Sequence, residues 1–266
     1  MTDHNRSVCK IDQIVSTGDV FRLDLTILAD ILLSPPTLSP IFEDEDMLVL
    51  NKAADQLVHP AGGGFEWTVI DVVRVHYPHA EIDLCHRLDR QTSGVLALSK
   101  NKRTNAQIKR AFEARSVLKT YRAIVSGNPS DASFSCSEPI GHANDDSRVR
   151  RQVSPTGQSA HTDFRVRQRC DGFAELECAP TTGRSHQIRV HLAHLGLPII
   201  GDRLYAGNHS LKNYSSALQA VHPERHALHC KTLEFIAPRD RLHTFSAELP
   251  EDMLETWKAC VANDSP

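Results

Sequence analysis

Residues 85–125 read CHRLDRQTSGVLALSKNKRTNAQIKRAFEARSVLKTYRAIV. Residues 85–94 are crowded with polar and turn-forming side chains and read as a loop. Val95, Leu96, Ala97 and Leu98 then form a continuous apolar run, the pattern of a strand buried on both faces. A helix is predicted over 102–115, with Ala106, Ile108 and Phe112 turned inward and Lys109 and Arg110 outward. Residues 119–125 return to strand. Working outward, Met47, Leu48, Val49 and Leu50 read as another buried strand. The run Ala61, Gly62, Gly63, Gly64 reads as a flexible loop. Val69, Val72, Val73 and His76 recur at helical spacing before Pro78, so a helix is predicted over 68–77. Downstream, strands are expected at 161–166 and 174–179 around a turn at 170–172. A helix is expected over 185–195, stopped by Gly196 and Pro198. Closing strands are expected at 228–235 and 244–249. Strands and helices intermingle without a regular β–α–β alternation, which predicts an α+β fold with a mixed sheet.

Length and composition set the outer bounds. A chain of 266 residues suffices for one large domain with a small appendage. The Pro-rich stretch 34–40 is the one candidate linker. No apolar run approaches the roughly 20 residues that span a bilayer. The first residues lack the basic-then-apolar order of a secretory signal, so a cytoplasmic protein is expected. Seven cysteines at wide spacings contain no CxxC pair, so neither a zinc ribbon nor a redox motif is indicated. The net charge of −3 points to no polyanion, yet its distribution is uneven. Residues 84–122 hold ten Lys or Arg against two acids, and residues 148–169 hold six Arg against Asp163 alone. Two such segments can form a phosphate-binding face or simply solvated surfaces.

Three segments carry candidate chemistry. In HRLDRQTSG, residues 86–94, Asp89 is flanked by Arg87 and Arg90 and leads into an apolar strand. Neighbouring guanidinium groups favour an ionised carboxylate, and such a carboxylate can act as a nucleophile or can merely cap a turn. In TGRSHQIRVHLAH, residues 182–194, Ser185 is a plausible helix N-cap. His186 and Arg189 lie three apart on one helical face, where Arg189 could grip a carboxylate or phosphate. His191 and His194 also share a face, but neither HExxH nor a nearby cysteine completes a metal site. In the strand Lys119, Thr120, Tyr121, Arg122, Tyr121 can pack in the core or stack on a base. The glycine run 62–64 lacks the Lys-Ser/Thr of a phosphate loop, and Ser93 lies in no GxSxG.

In this order, the three segments resemble the RluA-type pseudouridine synthases. Residues 86–94 are similar to that family's HRLDxxTSG motif, residues 119–121 to its KxY strand, and residues 182–205 to its third motif. Residues 42–60, 228–235 and 245–250 are similar to the flanking strands, so the likeness spans about 40–252. The resemblance implies a mixed, mainly antiparallel sheet with flanking helices around a central cleft. It implies conversion of uridine to pseudouridine within rRNA or tRNA, with RNA as partner and neither cofactor nor metal. It puts the catalytic aspartate on Asp89, the active-site tyrosine on Tyr121 and the aspartate's arginine partner on Arg189. Arg87, Arg90, Lys119, Arg184 and His186 are assigned to RNA contact or loop support. Domain boundaries follow: an extension at 1–39 holding at most a remnant of an S4-like module, a catalytic domain at 40–252, and a tail at 253–266. A monomer is expected. Where family members carry Pro and Gly after an Asn-Lys pair, this chain has Ala53, Ala54 and Asp55, which predicts a looser turn. The competing readings are a non-catalytic RNA-binding or ribosome-assembly protein on the same fold, a metal hydrolase built on His186, His191 and His194, and a small-molecule enzyme.

Overall fold

In the computed structural model the described residues are 35, 37–60, 66–145, 149–170, 172–206, 225–236, 238, 239 and 241–262. The expected S4-like remnant and the glycine loop at 61–64 lie outside them. Twelve strands and four helices are described, in chain order. They are β1 (Pro40–Glu43), β2 (Met47–Lys52), α1 (Val69–His76), β3 (Asp83–Leu84), β4 (Ser93–Ser99), α2 (Lys102–Glu113), β5 (Leu118–Ser126) and β6 (Ser133–Cys136). Then come β7 (Ile140–His142), β8 (Arg151–Val153), β9 (Thr162–Cys170), β10 (Phe173–Pro180), α3 (Gln187–His194), β11 (Leu228–Ile236), β12 (Leu242–Ser246) and α4 (Glu251–Ala262). One sheet runs β1-β2-β4-β11-β5-β10-β9-β6, with β3 added to β4 and β12 to β11, while β7 and β8 form a separate ribbon. This is the predicted α+β fold with a mainly antiparallel sheet.

The sheet's centre fixes where chemistry can sit. Every residue of β4 is buried, as its unbroken apolar run requires. β4 meets β11 in the sheet's parallel pairing, at Ser93 with His229 and Gly94 with Cys230. There Gly94 has φ +112, and a Cβ on it would stand 2.2 Å from the Cys230 carbonyl oxygen. Only glycine tolerates both that dihedral and that approach. The loop 85–92 enters the sheet at this junction and is carried by its most deeply packed strand.

Helix starts follow local chemistry. Thr68 caps α1 reciprocally with Asp71, and the Asn101 side chain accepts from the Thr104 N–H of α2 at 2.9 Å. The inward face of α2 differs from the prediction: Thr104, Asn105 and Ile108 are buried, and Ala106 is exposed. Asn105 is tolerated inside because its amide donates to the Leu84 carbonyl at 3.1 Å. The segment expected as a tail begins in a helix. Residues 251–262 form α4, and its Met253 and Cys260 belong to the main core cluster.

The turn after β2 is held firmly despite lacking Pro and Gly. Asp55 takes a left-handed φ of 60, which Asp accepts more readily than most side chains. Lys52 shares the inward parity of Leu48 and Leu50, and it is only 2 % exposed. Its ammonium donates to the carbonyls of Ala53 at 2.7 Å, Gln56 at 3.0 Å and Arg90 at 2.9 Å. It therefore staples the turn after β2 to the loop 85–92. Burial, followed by the charge of Arg225, pulls the Lys52 amine down to about 7. No helix among the described residues is long and apolar enough to cross a membrane.

Candidate active site

The loop 85–92 turns on itself through the Thr92 N–H to the Asp89 carbonyl, 3.0 Å, with Leu88 buried as its anchor. Asp89 is thereby presented on a rigid base with its side chain 28 % exposed. From α3, Arg189 donates through Nη1 to Asp89 Oδ2 at 2.9 Å. Residues 100 apart in sequence are therefore in direct contact. The rest of the guanidinium is occupied: Nε donates to Asp202 Oδ2 at 2.7 Å and Nη2 to Asp202 Oδ1 at 2.9 Å. The Asp202 side chain is fully buried and Arg189 nearly so. A bidentate clamp of this kind fixes the guanidinium plane, and with it the direction of the Nη1 N–H that meets Asp89. The Tyr205 ring lies under it, 4.9 Å from the guanidinium carbon. Hydrogen bonds to both carboxylates hold Arg189 ionised against burial.

A partly exposed carboxylate is thus aimed by a buried arginine at the tip of the loop 85–92. Residues 46–194 match the model of a family described as RNA pseudouridylate synthase. The chain is 31 % identical to ribosomal large subunit pseudouridine synthase D of Yersinia pestis over 99 % of its own length and 83 % of that protein. It is 36 % identical to the protein of that name from Xylella fastidiosa, over 82 % of this chain and 68 % of that one. Its structure superposes on human RNA pseudouridylate synthase domain containing 4 with a TM-score of 0.66 at 25 % identity, covering 88 % of this chain and 95 % of the other. Human RNA pseudouridylate synthase domain containing 1 gives 0.65 at 26 %, covering 81 % and 84 %. The chain belongs to the RNA pseudouridylate synthase family. It is an enzyme that converts uridine in RNA to pseudouridine.

The other residues singled out in the sequence take distinct places in the synthase. Tyr121 on β5 stands in register with Cys178 on β10 and Cys230 on β11. It is 9 % exposed. Burial, then the neighbouring Cys230 thiol to which it hydrogen-bonds, keeps its phenol protonated well above its ordinary range; the Asp89 charge adds to this. Arg90 points away from the carboxylate, donating to Asp55 at 2.9 Å and Glu66 at 3.0 Å. Lys119 donates to the Thr182 carbonyl at 3.1 Å and Arg184 to the Ser159 carbonyl at 3.0 Å. These three side chains hold loops together. Arg87 is exposed and enters no ion pair among the described residues.

The helix start differs from the prediction. Ser185 is exposed and does not cap α3. The cap position is His186, with φ 58 and no side-chain cap bond. The Gln187 side chain instead braces the loop before the helix, its Oε1 accepting from the Arg184 N–H at 3.0 Å and the Thr182 hydroxyl at 2.7 Å. His186 is consequently swung off the helical face, yet its Nε2 still lies 3.9 Å from Asp89 Oδ2. Its Nδ1 meets the Tyr205 hydroxyl at 2.7 Å. Burial lowers the His186 pKa, against the pull of Asp89. His191 is enclosed, its ring nitrogens within 2.9 Å of the Thr162 hydroxyl and 3.0 Å of the Glu138 carbonyl. No cluster of metal-ligating side chains exists among the described residues.

The basic segments are partly tied up at short range. Of the ten Lys and Arg in 84–122, half are paired: Arg90 as above, Lys100 with Glu43, Lys102 with Glu81, Lys109 with Asp83, and Arg122 with Glu175. Arg167 meets Glu177, and Arg169 donates to the Pro129 and Asp131 carbonyls. Two surface depressions, of about 420 and 510 Å³, are lined by residues of this paired surface such as Glu81, Asp83 and Lys102, and neither is lined by Asp89, Tyr121 or Arg189.

Behind the loop lies a second polar cluster that sequence reading missed. Arg225 donates bidentately to Asp252 of α4 at 2.7 and 3.0 Å, and further to the carbonyls of Gln91, His226 and Leu228 and to the Ser93 hydroxyl. Thr92 pairs with His226 at 2.8 Å and Ser93 with His229 at 2.9 Å. Burial depresses both histidines, His229 to about 4. Asp202, Tyr205 and Lys52 were missed as well. A lysine with inward parity at the end of the run MLVLNK was the one signal available for Lys52.

Proposed function

We propose that Asp89 is the catalytic carboxylate and that the substrate is ribosomal RNA of the large subunit. The substrate rests on the relatives that bear that name across most of this chain's length. The catalytic role rests on one observation: of the two carboxylates on Arg189, Asp202 is sealed and Asp89 is open. In the reaction the uridine N1–C1′ bond breaks, the base turns, and C5 bonds to C1′. The C5 proton leaves and N1 gains one, so no oxidant or reductant is consumed. A stacked uridine must first leave the helix, at a cost of a few kcal/mol. Arg189 keeps Asp89 ionised and aimed at the ribose carbon through which the base is exchanged. Tyr121 forms an aromatic wall beside it. With its phenol held protonated beside Cys230, Tyr121 serves as this wall and not as the base that takes the C5 proton.

Asp89→Asn keeps shape and removes the negative charge. Single-turnover assays should show pseudouridine formation reduced below about 10⁻³ of wild type, with RNA affinity within about threefold. An Asp89→Asn enzyme that still turns over at the wild-type rate removes Asp89 from the chemistry. Pseudouridine mapping of total RNA, with and without the gene, identifies the substrate; loss of a site only in tRNA overturns the ribosomal reading.

A further inference from the structure

His186 combines three observations that the catalytic carboxylate does not explain. It is the one residue at the start of α3 held in the left-handed region, φ 58, with no capping bond in return. Strain of this kind costs on the order of 1 kcal/mol and persists where surroundings impose it. Its side chain is 12 % exposed and stands beside the 28 % exposed Asp89. Its proton is also placed by its neighbours. The Tyr205 oxygen already accepts the Arg151 N–H at 2.9 Å, and the acceptor found for the phenol's own proton is His186 Nδ1 at 2.7 Å. A neutral imidazole that accepts at Nδ1 carries its hydrogen on Nε2. That N–H faces Asp89 Oδ2 across 3.9 Å, too far for a hydrogen bond between them.

Two groups so spaced, one an N–H donor and one a carboxylate acceptor, are both within about 2.8 Å of a single oxygen seated over the gap. The oxygen must accept from Nε2 and donate to Oδ2, so it must carry a proton, as a ligand hydroxyl does. A phosphate oxygen has no proton to give and would be repelled by Asp89. We propose that His186 and Asp89 together bind the 2′-hydroxyl of the target uridine's ribose, making His186 a specificity-determining contact that selects RNA over DNA. The inference rests on Asp89 acting at that nucleotide: C2′ neighbours the C1′ whose bond to the base is exchanged. A 2′-hydroxyl both donates and accepts, and it is the group by which a protein distinguishes the two nucleic acids.

The probe is an RNA oligonucleotide spanning the mapped site, with either uridine or a single 2′-deoxyuridine at the target. Equilibrium binding is measured in the Asp89→Asn enzyme, where the amide oxygen still accepts the hydroxyl. With His186 present, the deoxy substitution should weaken binding about tenfold, the size of one to two good hydrogen bonds. In the His186→Asn background it should weaken binding by less than about twofold. Asn suits the left-handed backbone and is too short to reach, so the helix start survives. Tyr205→Phe retains the imidazole but frees its tautomer, and should give a penalty between these values. A deoxy penalty that is the same with and without His186, in enzymes of equal melting temperature, overturns the inference. Turnover by the Asp89→Asn enzyme would instead count against the catalytic reading alone.

Discussion

Arg189 and Arg225 are built alike and do different things. Each is buried, and each grips an aspartate bidentately, Arg189 with Asp202 and Arg225 with Asp252. The difference lies in the donor left over. Those of Arg225 are consumed by the carbonyls of Gln91, His226 and Leu228 and by the Ser93 hydroxyl. That of Arg189 reaches a carboxylate open to solvent. The same clamp thus ties down backbone where its spare N–H groups end on carbonyls, and aims a carboxylate where one ends on a partly exposed anion. Both act on the same loop, from opposite sides: Arg189 aims its acid, and Arg225 fixes its exit at Gln91.

The largest expected effect sharpens this contrast. Arg189→Lys keeps the charge but loses the fork, so it cannot hold Asp202 and Asp89 together. Single-turnover rates should fall about 10²- to 10³-fold, with melting temperature changed far less than by the next variant. Equal losses of rate and stability would erase the distinction. Arg225→Met strips four acceptors and Asp252 of their donor, and should cost about 3 kcal/mol of unfolding free energy by denaturant titration. The folded fraction should keep most of its rate. A chain ending at residue 250 should be destabilised at least as much, because it loses α4.

Acid should reveal the Arg225 side of the loop. His226 and His229 are buried neutral, with folded pKa values below the unfolded value of about 6.5. Between pH 6.5 and about 4 the unfolded chain binds protons that the folded chain refuses, so stability falls as pH falls. Each histidine contributes a slope approaching about 1.4 kcal/mol per pH unit in that window. His229→Gln should remove one such share from the measured slope; an unchanged slope would mean that His229 protonates inside the fold. The smallest effect is expected at Tyr121. Tyr121→Phe keeps the aromatic wall and loses a hydroxyl turned toward Cys230, so single-turnover rates should fall less than about tenfold. A loss as large as that of Arg189→Lys would give the phenol a direct part in proton transfer.

Much of the framework was readable from residue patterns. The apolar run at 95–98, the helical spacing at 69–76 and the paired runs at 162–180 all became the expected elements. Strands β6, β7 and β8 were not readable, because they are three or four residues long and half exposed. At the site, Asp89, Tyr121 and Arg189 were recognisable in motifs. Asp202 was not, because an aspartate in a turn looks the same whether it faces water or lies sealed against a guanidinium. Arg90 shows the converse: its place beside Asp89 in sequence suggested a partner, yet its side chain turns to Asp55 and Glu66.

The sequence by itself determined the central strands and helices, the loop that carries Asp89 and the chemical types available there, since these depend on local periodicity and on side chains close together in the chain. Tertiary structure alone decided which carboxylate Arg189 leaves open, that His186 stands beside it, and that residues 251–262 are packed helix. Those outcomes depend on which distant groups share burial, and burial is a property of the folded whole.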